Sequence, residues 1–212
     1  MGIVQNVILL GYNIGEVVAM CGRYTFFTDK ELQEVDDIIE KISDDIQREK
    51  MSTGEIFPTN VVPVFVPENQ IITPKLMAWG FPNFHNKGVI INARAETAAE
   101  KKLFADSLSQ RRCIIPSTGF YEWNADKKKF LFNMPDSPML YMAGFYNRFE
   151  GEDRFIILTT QADRSMAEVH DRMPIVVPKS QIAEWILDPT KVDDMLKGQH
   201  PILHGKLQKT AG

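Results

Sequence analysis

Five short segments place reactive or strongly polar side chains where a core strand would not want them. They are CGRYT (21–25), NARAET (92–97), RRCIIPSTGFYEW (111–123), ILTTQAD (157–163) and VHDRMPIVV (169–177). Each falls at or just after a stretch that reads as a strand, where a rigid scaffold can aim several side chains into one cleft. Cys21 is a candidate nucleophile, Glu122 a general acid or base, and His170 a second proton-transfer group. Asn92 can position a nucleophile or donate to an oxygen. Arg94 and Arg172 carry planar, forked cations that suit phosphate. Together these types permit covalent chemistry on a phosphate-bearing substrate.

Each residue also has a plainer reading. An isolated cysteine is more often a small buried apolar residue than a nucleophile, and Cys113, beside IIP, reads that way. Glu122, between Tyr121 and Trp123, can instead sit in a buried salt bridge with Arg94 or Arg172. Asn92 can merely end a strand. Trp79 and Trp123 suit a core, and DKKK (126–129) suits a solvated turn. His85, His200 and His204 stand in no supporting segment and read as surface residues.

The elements that must carry these residues follow from periodicity. Thr28 and Glu31 form a capping box. Leu32, Val35, Ile39, Ile42 and Ile46 then recur at helical spacing, which predicts a surface helix to about Lys50. MSTGEIFPTN (51–60) reads as a loop. Strands are predicted at 61–66, 71–79 and 88–94, then a helix over roughly 96–108. Further strands follow in RCIIPSTGFYEW, KKFLFNM, PMLYMAGFY and RFIILTT, with a hairpin at WNADKKKF (123–130). SQIAEWIL and TKVDDMLK predict two short late helices. Strands in direct succession favour antiparallel pairing. The expected class is α+β, a largely antiparallel, barrel-like sheet flanked by helices.

The chain has 212 residues, enough for a single domain with a substantial core. Two cysteines, Cys21 and Cys113, give no disulfide framework, and no zinc-ligand spacing occurs. The net charge is −4, yet residues 29–50 carry nine acidic against four basic side chains. The acidity is thus concentrated in one helix, which leaves room for a basic face elsewhere. Residues 1–19 lack the basic start of a secretory signal and the apolar length of a membrane span. They read as an extension, either a misplaced start or a removable pro-segment, ahead of a single domain over 20–212.

In this order, MCGRYT, NARAET, CIIPSTGFYEW, ILTTQA and VHDRMPIVV resemble the SRAP family (SOS response-associated peptidase) over residues 20 to about 200. The resemblance implies covalent crosslinking to abasic sites in single-stranded DNA by an N-terminal cysteine. By motif, that cysteine is Cys21, with Asn92, Glu122 and His170 as its catalytic companions. An N-terminal amine titrates at about 7.7–8.0 and a cysteine thiol near about 8.5. The amine can form an imine with the open sugar aldehyde, and the thiol can close on it to give a thiazolidine. An internal cysteine has no free amine and cannot make this ring. Arg23, Arg94 and Arg172 are expected to bind flanking phosphates, and Trp79 and Phe81 to offer a stacking surface. The resemblance further implies peptidase activity on the bond before Cys21, with no metal or nucleotide cofactor. A cytoplasmic, nucleoid-associated monomer without membrane contact is expected. A cysteine peptidase acting on other proteins and a non-covalent single-strand binder stay open as alternatives.

Overall fold

The structure is a computed structural model that describes residues 22–28, 33–42 and 48–209. The extension 1–19 and Cys21 lie outside the described residues. In chain order, the first elements are β1 (Tyr24–Phe26), α1 (Gln33–Glu40), β2 (Gly54–Ile56), β3 (Val61–Glu68), β4 (Ile71–Trp79), β5 (Phe81–Pro82), β6 (Val89–Ile90) and β7 (Asn92–Arg94). Next come α2 (Ala95–Ala98), α3 (Ala105–Gln110), β8 (Arg112–Ser117), β9 (Gly119–Trp123), β10 (Lys129–Asn133), β11 (Leu140–Phe149) and β12 (Glu152–Gln161). The chain ends with β13 (Arg172–Pro174), α4 (Ile182–Leu187), α5 (Val192–Lys197) and β14 (His204–Leu207).

The expected α+β class with a barrel-like sheet holds. Strand β11 pairs with β8, β8 with β3, β3 with β4, β4 with β12, and β12 returns to β11. These five strands close a ring and leave no open edge between them. A ring with an odd number of strands cannot alternate direction throughout. The one parallel contact in it is β4 with β12, at Arg154↔Ala78 and Phe155↔Trp79. Strand β7 continues alongside β12 in parallel, and β13 pairs with its other edge. Two of the hairpins are tight. Asn69 and Gln70, and likewise Glu150 and Gly151, hold positive φ, which matches the right-handed twist of the flanking strands.

A second sheet of five strands runs β14-β10-β9-β1-β2. RCIIPSTGFYEW, which reads as one stretch, is divided between the two sheets at Ser117–Gly119. The Thr118 amide donates to the Thr25 carbonyl at 2.8 Å, and the Gly119 amide donates to the Ser117 hydroxyl at 3.0 Å. A Cβ on Gly119 would sit 2.9 Å from both the Leu131 side chain and the Phe132 carbonyl, so the corner requires glycine.

Buried Trp79, Tyr24, Phe81, Phe145 and Phe155 fill the barrel and the space between the sheets. Arg112 is buried at the base of β8, where burial pulls its guanidinium below its ordinary range. Its Nε donates to the Trp185 carbonyl at 2.7 Å. Its terminal nitrogens donate to Leu108, Ser109 and Ile186 carbonyls, so one cation caps the ends of both α3 and α4.

Several local expectations are corrected. The described helix α1 ends at Glu40 rather than near Lys50. There the Arg48 guanidinium donates to the carbonyls of Glu40 and Ile42, at 3.0 and 2.7 Å. Glu31, Leu32 and Ile46 lie outside the described residues. The predicted loop 51–60 contains β2. The helix over 96–108 is two short helices, because the turn between them inserts Phe104 against Phe81 and Phe145. Strands β5, β13 and β14 were not foreseen. The late helices α4 and α5 fall where predicted.

Candidate active site

Strand β9 carries the first candidate. Tyr24 lies opposite Phe120 in the β1–β9 ladder, and its ring packs edge-on against Trp79 at 5.1 Å. Phe120 therefore faces the barrel, and so does Glu122 two residues on, since strand side chains alternate. Glu122 is 3% exposed. Tyr121 and Trp123 take the opposite face.

The first described residues, Gly22 and Arg23, run alongside this strand. The Tyr121 amide donates to the Arg23 carbonyl at 2.9 Å, which extends the β1–β9 pairing one residue towards the N-terminus. A Cβ on Gly22 would meet Ile91 at 4.0 Å. The carbonyl of Ile91 accepts from the Ile157 amide at 3.0 Å and from Trp79 Nε1 at 3.1 Å. Residues 22–23 thus run between the residue before Asn92 and the residue before Glu122.

Strands β7, β12 and β13 assemble the rest. Asn92 lies beside Ile157 and Arg94 beside Thr159, while Arg172 lies opposite Gln161. The Arg172 guanidinium donates to both Glu96 oxygens, at 2.6 and 2.9 Å, and to the Thr159 carbonyl at 2.8 Å. Its Nε is buried without a protein acceptor. The hydrogen bond from Arg172 is the main reason the Glu96 carboxyl lies below its ordinary range, burial opposing it. His170 is mostly covered, and its Nδ1 accepts the Arg172 amide at 3.1 Å. The same nitrogen stands 2.9 Å from the Asp171 carboxylate. A neutral ring that accepts the amide carries its proton on Nε2; a ring with its proton on Nδ1 turns to Asp171 instead.

The candidates thus fall into two groups. Asn92, Arg94, His170 and Arg172 sit on or beside three neighbouring strands of one sheet, and Arg23 and Glu122 sit on the other. Arg172 is engaged by Glu96 and Thr159 rather than by Glu122. Arg94 is exposed and forms no side-chain hydrogen bond or ion pair with a described residue. Trp79 and Phe81 are fully buried, so the stacking role expected of them is corrected: packing leaves neither ring a face open to a base. His200, expected at the surface, is half-buried, and burial pulls its imidazole below the ordinary value. Cys113 is buried as expected, with its thiol pushed up by desolvation. Among the described residues no three His, Cys, Asp or Glu side chains group as a metal set, and no helix is long and apolar enough to cross a membrane.

The family model described as SOS response associated peptidase (SRAP) matches residues 20–209. The chain belongs to this family. It is 34% identical over 194 residues to the abasic site processing protein YoqW of Bacillus subtilis, covering 82% of this chain and 83% of that protein. It is 28% identical over 181 residues to the abasic site processing protein YedK of Escherichia coli, covering 79% of each. A crystal structure of a Bacteroides thetaiotaomicron protein superposes with a TM-score of 0.70 at 21% identity, covering 90% of this chain and 93% of that one. That likeness confirms the fold.

In this SRAP chain, sequence reasoning missed a cluster on the outer face of the second sheet. Glu55 accepts from Arg23 at 3.1 Å and from Lys129 at 2.8 Å. The Arg23 guanidinium lies 4.4 Å from the Phe57 ring centre and 5.3 Å from that of Trp123. Lys129 Nζ stands 3.6 Å over Tyr121. Burial works to raise the Glu55 carboxyl, but Lys129 and Arg23 outweigh it and hold the group below its ordinary range. In the sequence, Lys129 reads as part of a solvated turn, and Glu55 and Phe57 as loop. Their signal lies in strand alternation, which places Arg23, Glu55, Tyr121, Trp123 and Lys129 on one face only once the register is known.

Proposed function

We propose that this SRAP protein acts, as a monomer, on abasic sites in single-stranded DNA and links itself to them through Cys21, once the preceding residues have been removed. The free amine of Cys21 attacks the aldehyde of the ring-opened sugar, and loss of one water gives an imine. The thiol then adds across the C=N bond: sulfur bonds to carbon, the thiol proton goes to nitrogen, and a thiazolidine closes. Glu122, buried on the barrel side of β9, carries protons for imine formation. His170, as the Nε2–H tautomer, donates to the sugar ring oxygen as it opens. Asn92 holds the amine or a sugar hydroxyl, and Arg23, Arg94 and Arg172 meet the flanking phosphates. The same acid and base groups serve to hydrolyse the peptide bond before Cys21.

The observation that carries this reading is the course of residues 22–23 between Ile91 and Tyr121, the immediate neighbours of Asn92 and Glu122. The names of the relatives as abasic site processing proteins point the same way.

A chain beginning at residue 21 with Cys21→Ser separates the two covalent steps. It keeps the amine and loses the ring-closing thiol. The expected result is an adduct to an abasic oligonucleotide only when borohydride reduces the imine, whereas the Cys21 chain gives a gel-stable adduct without it. A borohydride-independent adduct in both would contradict thiazolidine formation.

A further inference from the structure

We infer that Glu96 is a positioning residue for His170, acting through Arg172. This rests on the function proposed above and concerns the same site. Nδ1 of His170 faces two competitors, the Arg172 amide at 3.1 Å and the Asp171 carboxylate at 2.9 Å. The first keeps the proton of a neutral ring on Nε2; the second draws a proton to Nδ1 and strips Nε2 of it. Which one prevails depends on where the backbone of Arg172 is held.

The Asp171 side chain is 86% exposed. The Arg172 side chain is anchored at three points: both oxygens of Glu96, and Thr159. Thr159 belongs to β12, the strand against which β13 and β7 both pair. Glu96 lies in α2, which begins directly after β7. The Glu96 pair therefore ties the start of β13 to the helix following Asn92, and so fixes the amide that sets the His170 tautomer. End-on pairing also uses the terminal nitrogens of Arg172 and leaves its buried Nε–H without a protein acceptor. Glu96 thus steadies the cation through both of its terminal nitrogens.

Two readouts on the chain beginning at Cys21 test this. Long-range 1H–15N spectra at pH 8, where an ordinary imidazole is neutral, read the His170 tautomer with or without activity. The wild type is expected as Nε2–H; Glu96→Gln and Arg172→Lys, which break the pair from either side, are expected to mix the tautomers. Adduct formation by Glu96→Gln is expected to slow by about ten- to a hundredfold. Affinity for the oligonucleotide is not expected to fall, since no phosphate contact is removed. A pure Nε2–H tautomer in both folded variants, with the wild-type adduct rate retained, would overturn the assignment. If the wild type itself forms no adduct, the proposed function fails, and the tautomer spectra alone then decide the role of Glu96.

Discussion

Glu122 and Trp123 are adjacent on one strand and serve opposite sides of it. The Tyr121 amide, 2.9 Å from the Arg23 carbonyl, pins the register that makes this so. Glu122 turns inward, 3% exposed, on the face that Phe120 shares with Tyr24. Trp123 turns outward to the Arg23 guanidinium. One dipeptide therefore joins a buried carboxyl to a surface of rings and cations.

Glu122→Gln keeps the volume and removes the titrating oxygen. Single-turnover adduct formation is expected to slow by roughly 10²–10⁴, the usual range for a lost general acid or base. The same variant should bind the oligonucleotide as before. A rate within a factor of two of wild type would remove Glu122 from the chemistry.

Arg94 is exposed and engages no described carboxylate, so it is available to a phosphate. Arg94→Ala should weaken binding to all sequences alike. It should reduce the slope of log K against log salt by about 0.7–1, the value of one released counterion. Fluorescence anisotropy between low and moderate salt measures this directly.

Glu55 is held below its ordinary value by Lys129 and Arg23, against the effect of burial. A carboxyl depressed in the folded state stabilises above its unfolded value, about 4.3, and this stability is lost as pH falls through the folded value. The Glu55→Gln variant should therefore melt below wild type at pH 7. The difference should shrink as pH falls below about 4. Because the group is a third exposed, solvent screening keeps the effect small. Melting curves at four or five pH values suffice.

Arg112→Ala leaves the carbonyls at the ends of α3 and α4 without their donor. A loss of about 3 kcal/mol is expected from buried acceptors of this kind, which corresponds to a fall in Tm of roughly 6–12 °C. Calorimetry checks it. The folded fraction should retain adduct chemistry, because Arg112 lies outside the proposed site.

Alternation carried much of the fold in the sequence. The long strands β3, β4, β11 and β12 are β-branched or aromatic runs ended by turn residues, and they lie where predicted. What the sequence could not show was the change of sheet. Nothing local distinguishes Ser117–Gly119 from a continuous strand; the corner exists because Thr25, more than ninety residues earlier, supplies the carbonyl that Thr118 meets. The same holds at the site. Glu122 and His170 stood out by type within their segments. Glu96 lay in the same NARAET segment as Asn92 without a role, since its partner Arg172 is 76 residues away. Trp79 and Phe81 misled because aromatic type suggests both stacking and core, and only packing separates them.

The most direct test of the central claim is intact mass spectrometry of the purified protein, before and after mixing with a single-stranded oligonucleotide bearing one abasic site. The expected result is a chain beginning at Cys21 that gains the mass of the oligonucleotide less one water. A chain beginning at Cys21 that gains no mass would contradict the account.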